Sequence, residues 1–98
     1  MTSHVSWLLV VDVRAGREAE FMTLMAEMVT ATRANGPGTL DYEWSISADG
    51  TQCHMFERYA DSAAALAHLA TFGERFAGRF VEILTPVRFV VYGAPSTP

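Results

Sequence analysis

Cysteine is almost missing. Cys53 is the only one in 98 residues, so no internal disulfide can form and a Cys-rich zinc site is excluded. There is no basic surplus either. Seven Lys and Arg against 11 Asp and Glu leave a formal net charge of −4 and a pI near 5.2. That balance speaks against a nucleic-acid partner and against electrostatic attachment to a membrane. No apolar run approaches the roughly 20 residues that cross a bilayer; the longest strand-like one is Val5 to Val11. Met1-Thr2-Ser3-His4 lacks the basic start of a secretory signal. Gly36-Pro37-Gly38 is no phosphate cradle, because the proline removes a donor and no helix follows. There is no Rossmann fingerprint, no linker and no low-complexity tract. The expectation is one soluble, cytoplasmic domain over residues 1–98, with an ordered core at about 5–93.

What is present is apolar periodicity. Val5 to Val13 is apolar at nearly every position, as suits a strand covered on both faces. Arg17 to Arg33 reads as a helix, with Phe21, Leu24, Met25, Met28, Val29 and Thr32 at three- and four-residue spacing and acidic residues in its first turn. Asn35-Gly36-Pro37-Gly38 ends it. Thr39 to Ser47 alternates, with Leu40, Tyr42, Trp44 and Ile46 on one face. Asp49-Gly50 marks a hairpin turn into Thr51 to Tyr59. Ala60-Asp61-Ser62 supplies a cap for a helix from Ser62 to about Phe72, which Gly73 interrupts. Glu74 to Leu84 is helical again, with Phe76, Phe80, Ile83 and Leu84 inward; Pro86 ends it, and Val87 to Tyr92 is the last strand before a frayed tail.

Strand, helix, strand, strand, helix, strand is the βαββαβ order of an α+β, ferredoxin-like fold: a four-stranded antiparallel sheet with helices on one face. The other sheet face needs a cover. A chain this short buries only roughly two-thirds of its unfolded surface, yet 50% of its residues are hydrophobic. A homodimer through the open sheet face is the simplest answer.

His68 stands in an otherwise apolar helix, on one face with Ala64, Ala65 and Phe72. Its imidazole can move protons near neutrality, or it can be a buried histidine pinning helix to sheet. Glu57 shares a strand face with Cys53, Met55 and Tyr59, where a carboxylate is costly unless paired. It can orient His68, act as a base, or be a structural acid; Arg58, on the opposite face with His54 and Phe56, is not its partner. Tyr42, Trp44 and Trp7 can line a pocket for a flat ligand or simply be core. Cys53 reads as an inert strand cysteine, since His54 points away from it. His54 and His68 have no third partner, so no metal is expected.

Three stretches carry a resemblance: Gly36 to Trp44 (GPGTLDYEW), Phe56 to Asp61 (FERYAD) and Ala64 to Leu69 (AALAHL). A Gly-rich turn enters the second strand, a Glu near the end of the third strand precedes an aromatic, and an Ala-x-x-His helix follows. Over roughly Trp7 to Tyr92 the chain resembles the antibiotic biosynthesis monooxygenase domain family, small dimeric α+β barrel proteins. Members include cofactor-independent oxygenases of aromatic polyketides or quinols, haem-degrading enzymes, and proteins without an assigned activity. The haem-degrading branch uses an Asn on the first strand, a Trp on the second helix and a later His. Here Val5 to Val13 has no Asn, the Trp position falls near His68, and Gly78 stands about ten residues on. The resemblance implies a monooxygenase without cofactor or metal, acting on a small aromatic, phenolic or quinol substrate. His68 and Glu57 would be catalytic, and Tyr42, Trp44, Tyr59, Trp7 and Phe72 would meet the substrate, with Tyr42, Tyr59 or Trp44 donating to the developing oxyanion. The alternatives are a non-catalytic ligand-binding or structural dimer, and an isomerase or decarboxylase using His68.

Overall fold

The apolar run at the N-terminus becomes β1 (Val5–Val13), an inner strand of the sheet. Inner placement explains why it lacks clean alternation: strands pair with it on both edges, its helix-side face is buried, and Val10 on the other face is buried as well. The computed structural model describes residues 4–34 and 38–93. The expectations that fall on residues 1–3, 35–37 and 94–98 lie outside the described residues. After β1 come α1 (Glu18–Ala34), β2 (Thr39–Ile46), β3 (Gln52–Tyr59), α2 (Ser62–Arg75), α3 (Ala77–Ile83) and β4 (Leu84–Gly93). The sheet order is β2-β3-β1-β4 and every pairing is antiparallel. The ferredoxin-like α+β class is thus the observed one.

The core lies between the sheet and the helices. α1 sinks Phe21, Leu24, Met28, Ala31 and Thr32 into it, and β1 and β3 answer with Val11, Val13, Cys53 and Met55. Leu24, Val11, Cys53 and Leu84 are wholly inaccessible. A second, smaller group of Val5, Trp7, Tyr59 and Ala65 seats the start of α2. The β2–β3 hairpin is tied by Asp49, whose Oδ1 accepts from Ser47 Oγ, Thr51 N and Thr51 Oγ1, with Gly50 at φ +75 completing the turn.

Two boundaries differ from the sequence expectation. Gly73 does not interrupt α2; the helix runs on to Arg75. A helical glycine costs only about 1 kcal/mol, and the chain breaks instead at Phe76 (φ −124, ψ −24). There the Phe76 ring, 5% exposed, turns into the core. Pro86 does not precede the last strand but lies within it, opposite Val11. β4 is an edge strand, where a missing N–H is tolerated, and the register shifts at Val10/Val11, next to the proline. In β2 the shift between Thr39 and Asp41 takes Leu40 off the expected face and leaves it exposed; Tyr42 and Trp44 are half-buried, and Ile46, still on their face opposite Cys53, is exposed at the strand's end.

The sheet face away from the helices centres on Leu8, Val10, Phe56 and Val90, which lie in neighbouring rows across β3, β1 and β4. Val10 is buried and the other three are half-buried. Polar pairs surround them, with Arg58 bonded to Asp41 at 2.7 Å and Gln52 to Asp12 at 3.1 Å.

Candidate functional site

Register places one row of helix-facing side chains across the sheet: Tyr42, Glu57, Trp7 and Val91. Glu57 therefore sits between two aromatics under the helix layer, with its side chain 6% exposed. A carboxylate so placed must be hydrogen-bonded. Tyr59, two residues on and on the same face, donates its hydroxyl to Glu57 Oε1 at 2.6 Å. The second partner comes from α2. Asp61 caps that helix by accepting from Ala64 N at 2.9 Å, which sets the phase that turns Ala65, His68 and Phe72 toward the sheet. His68 Nε2 lies 3.1 Å from the same Glu57 oxygen, and its side chain is 11% exposed.

Gly38 lets this approach happen. A Cβ there would lie 2.8 Å from Ala64 Cβ, so only glycine allows the start of β2 to pass close under α2. The Gly38 carbonyl also accepts from Ala60 N, just before the cap. The imidazole is then enclosed by aromatic rings, with centroids at 5.1 Å for Tyr59, 5.5 Å for Tyr42 and 6.4 Å for Trp7.

His68 and Glu57 stand at one end of a cavity of about 300 Å³ between the sheet and α2–α3. Trp7, Leu9 and Met55 form its floor and Phe72 and Phe80 its inner wall. Among the described residues, Glu57 and His68 are the only ionisable side chains on it. Such a cavity has the size and lining for a flat apolar molecule beside a buried histidine–carboxylate pair.

The other expected contacts are divided. Trp7 and Phe72 line this cavity. Tyr59 lies fully buried beneath it, 0% exposed, with its hydroxyl committed to Glu57. Tyr42 does not reach the cavity; it borders a separate chamber of about 10 Å³ shared with Thr32, Thr71 and the far side of the His68–Phe72 segment. Trp44 points instead to Phe21, at 6.1 Å between centroids. The Tyr42 hydroxyl and the Trp44 indole N–H are buried without hydrogen-bond partners among the described residues. Thr32 and Trp44 lie beside the Tyr42 hydroxyl, outside bonding geometry. Burial, and then the Glu57 charge, push the Tyr42 phenol up to about 12. The same two causes raise Tyr59 still further. Burial alone lifts the Cys53 thiol to about 11, against a nucleophilic role.

Sequence reasoning did not find Leu9, Met55, Phe80 or the rim residues Leu69, Val81 and Phe89. Leu69 was legible as the neighbour of His68. Phe89 and Leu9 were not, because they meet only through the β1–β4 register. Among the described residues, no three His, Cys, Asp or Glu side chains converge to hold a metal ion, and no helix is long and apolar enough to cross a membrane.

Comparison with known proteins agrees with this architecture. Rv0793 from Mycobacterium tuberculosis is 28% identical and superposes with a TM-score of 0.80 over 97% of this chain and 98% of that one. MupZ from Pseudomonas fluorescens is 25% identical, with a TM-score of 0.82 over 94% of this chain and 73% of that one. SnoaB, a cofactor-independent oxygenase from Streptomyces nogalater, shares the fold at 21% identity, with a TM-score of 0.77 over 98% of this chain and 97% of that one. No curated protein sequence matches the chain. The sequence profile of the antibiotic biosynthesis monooxygenase family matches residues 6–77, most of the sheet and both long helices, and the chain therefore belongs to that family.

Proposed function

We propose that this protein is a cofactor-independent monooxygenase of a small, neutral phenol or hydroquinone. One observation carries the reading: a buried His68–Glu57 pair, 3.1 Å apart, at the end of an otherwise apolar cavity. The pair acts as one base. It takes the phenolic proton, and the resulting imidazole–carboxylate charge lies beside the phenolate it has made. The electron-rich phenolate passes one electron to dioxygen, and the radical pair closes a C–O bond at a ring carbon that bears hydrogen, para to the oxygen in a phenol and ortho to it in a hydroquinone. The hydroperoxide O–O bond then breaks as that carbon loses its hydrogen. A quinone carbonyl and one water result; dioxygen takes all four electrons, and the proton held by the pair ends on the water. Desolvation and orientation come from the aromatic walls. The oxyanion donors expected from Tyr42, Tyr59 and Trp44 are not used, since none lines the cavity.

Oxygen uptake on a panel of phenols and hydroquinones tests this, with 18O2 to follow the new carbonyl. Turnover should place one labelled atom in product, and His68→Ala should lower kcat by about 10²- to 10⁴-fold. Unchanged turnover in that variant, or no uptake with any substrate, would overturn it. A second reading has its own support. Tyr59 and His68 both meet one Glu57 oxygen, as a scaffold network would. Ligand binding without uptake would favour such a non-catalytic carrier. We also propose that a second copy covers the Leu8, Val10, Phe56 and Val90 face; sedimentation at the 10.8 kDa monomer mass at micromolar concentration would refute that.

A further inference from the structure

The apolar surface does not stop at the cavity mouth. Three wall residues, Leu69, Val81 and Phe89, are 45%, 56% and 56% exposed, so the rim itself is apolar. The strip continues beyond them. On α2, Ala64, Ala67 and Thr71 flank Gly38 and Thr39 on the β2 side. Helical phase puts Leu66 and Leu69 on the opposite flank, toward β4. Leu66 is 61% exposed. On β4, Val91 follows Phe89 on the helix-side face, paired with Trp7, and is 46% exposed. Two residues of strand add about 7 Å of length to the cavity along this line. The cavity mouth between Leu69 and Phe89, beside Trp7, whose ring centroid is 6.0 Å from that of Phe89, is thus an apolar groove whose flanks Leu66 and Val91 prolong. Among the described residues, Glu57 and His68 apart, none that lines the cavity or prolongs this strip is charged, in a chain where 18% of residues are. Isolated apolar side chains on a surface are ordinary; a continuous apolar strip leading out of a ligand cavity is not.

We propose that the ligand carries an aliphatic side chain, with its ring in the cavity beside His68 and Glu57 and the chain in this groove. The inference rests on the cavity being a ring site, as read above, and names the class of ring substituent: alkyl or isoprenoid, uncharged, and several carbons long. A carboxylate or phosphate on that substituent would meet no cation on either flank, and one placed inside the cavity would meet Glu57.

Binding of 1,4-hydroquinones bearing side chains of increasing length, from hydrogen to decyl, tests this. Anaerobic quenching of tryptophan fluorescence, to which Trp7 at the cavity contributes along with Trp44, reads Kd without turnover. A fully buried methylene is worth about fourfold. A chain left half-exposed should therefore tighten Kd by about twofold per carbon over the first several carbons, and then level off. Leu66→Ser with Val91→Ser, neither of which lines the ring cavity, should flatten that slope while leaving the Kd of the unsubstituted ring unchanged. A Kd independent of chain length, a slope the double variant does not alter, or absence of binding by every member would overturn the proposal. A fall in sedimentation mass in the double variant would also overturn it, by making the strip a contact between copies. Chain-dependent binding without oxygen uptake would uphold this groove and refute the oxygenase reading.

Discussion

Replacing Glu57 separates the contributions of charge and of hydrogen bonding at the site. Its Oε1 receives the Tyr59 hydroxyl at 2.6 Å and faces His68 Nε2 at 3.1 Å, with the side chain 6% exposed. Glu57→Leu keeps much of the volume and removes the acceptor. Two buried donors then lose their partner, at about 1–3 kcal/mol each. Breaking a buried pair from one side costs about 3–5 kcal/mol in other proteins, so about 4 kcal/mol is expected. Glu57→Gln keeps a carbonyl in the same place, and each bond falls from charge-assisted to neutral strength, a loss of about 1 kcal/mol apiece. Recovered carboxylate desolvation offsets part of that, leaving about 1–2 kcal/mol. Urea unfolding at pH 7 resolves the two. With a slope of about 1.5 kcal/mol/M for a domain this size, the Leu variant should lower the midpoint by about 2–3 M and the Gln variant by about 1 M. Adding Tyr59→Phe to Glu57→Leu removes one orphaned donor and should recover about 1–3 kcal/mol. A Leu variant as stable as the Gln variant would refute the view that Glu57 is a buried acceptor holding two donors.

Four further outcomes follow from the structure. Tyr42→Phe removes a buried hydroxyl that has no partner, so it should be neutral or stabilising by about 1 kcal/mol in thermal unfolding; a loss beyond that would mean the hydroxyl is satisfied. Because the Tyr42 phenol is raised from 10.0 to about 12, the folded state holds its proton more tightly than the unfolded one. The stability this brings is complete below pH 10 and vanishes as pH climbs through about 12, so the wild type should lose about 2–3 kcal/mol relative to Tyr42→Phe across that interval. Gly38→Ala should cost about 1–3 kcal/mol, since its Cβ would meet Ala64 Cβ at 2.8 Å, and adding Ala64→Gly should restore most of that. Cys53, 0% exposed with its thiol raised to about 11, should react with thiol reagents only at the rate of unfolding; fast labelling at pH 8 in native buffer would contradict its burial.

Much of the fold was legible before any coordinates. β1 matches its expected span, and the order of elements follows from whether apolar residues recur every second or every third to fourth position. The two misplaced boundaries share one cause. Gly73 and Pro86 are local breaking signals, and both were overridden by non-local circumstances: continued helical bonding that ends at the buried Phe76, and an edge position that does not need the proline's missing N–H. The pairing of His68 with Glu57 was legible in part, because a lone imidazole on an apolar helix face and a carboxylate on an apolar strand face each require a partner.

What the sequence by itself determined is the element types, the inward faces of α2 and β3, and hence that His68 and Glu57 point into the same layer; these follow from periodicity, which is a property of consecutive residues. What only the tertiary structure decided is which strands are neighbours and in what register. Register aligns Tyr42, Glu57, Trp7 and Val91 in one row and sets Phe89 beside Leu9 at the cavity. It also leaves Tyr42 and Trp44 behind the imidazole, away from the hollow they were expected to line. Pairing between strands far apart in the chain is chosen by how whole faces pack together, and no short stretch of residues encodes that choice.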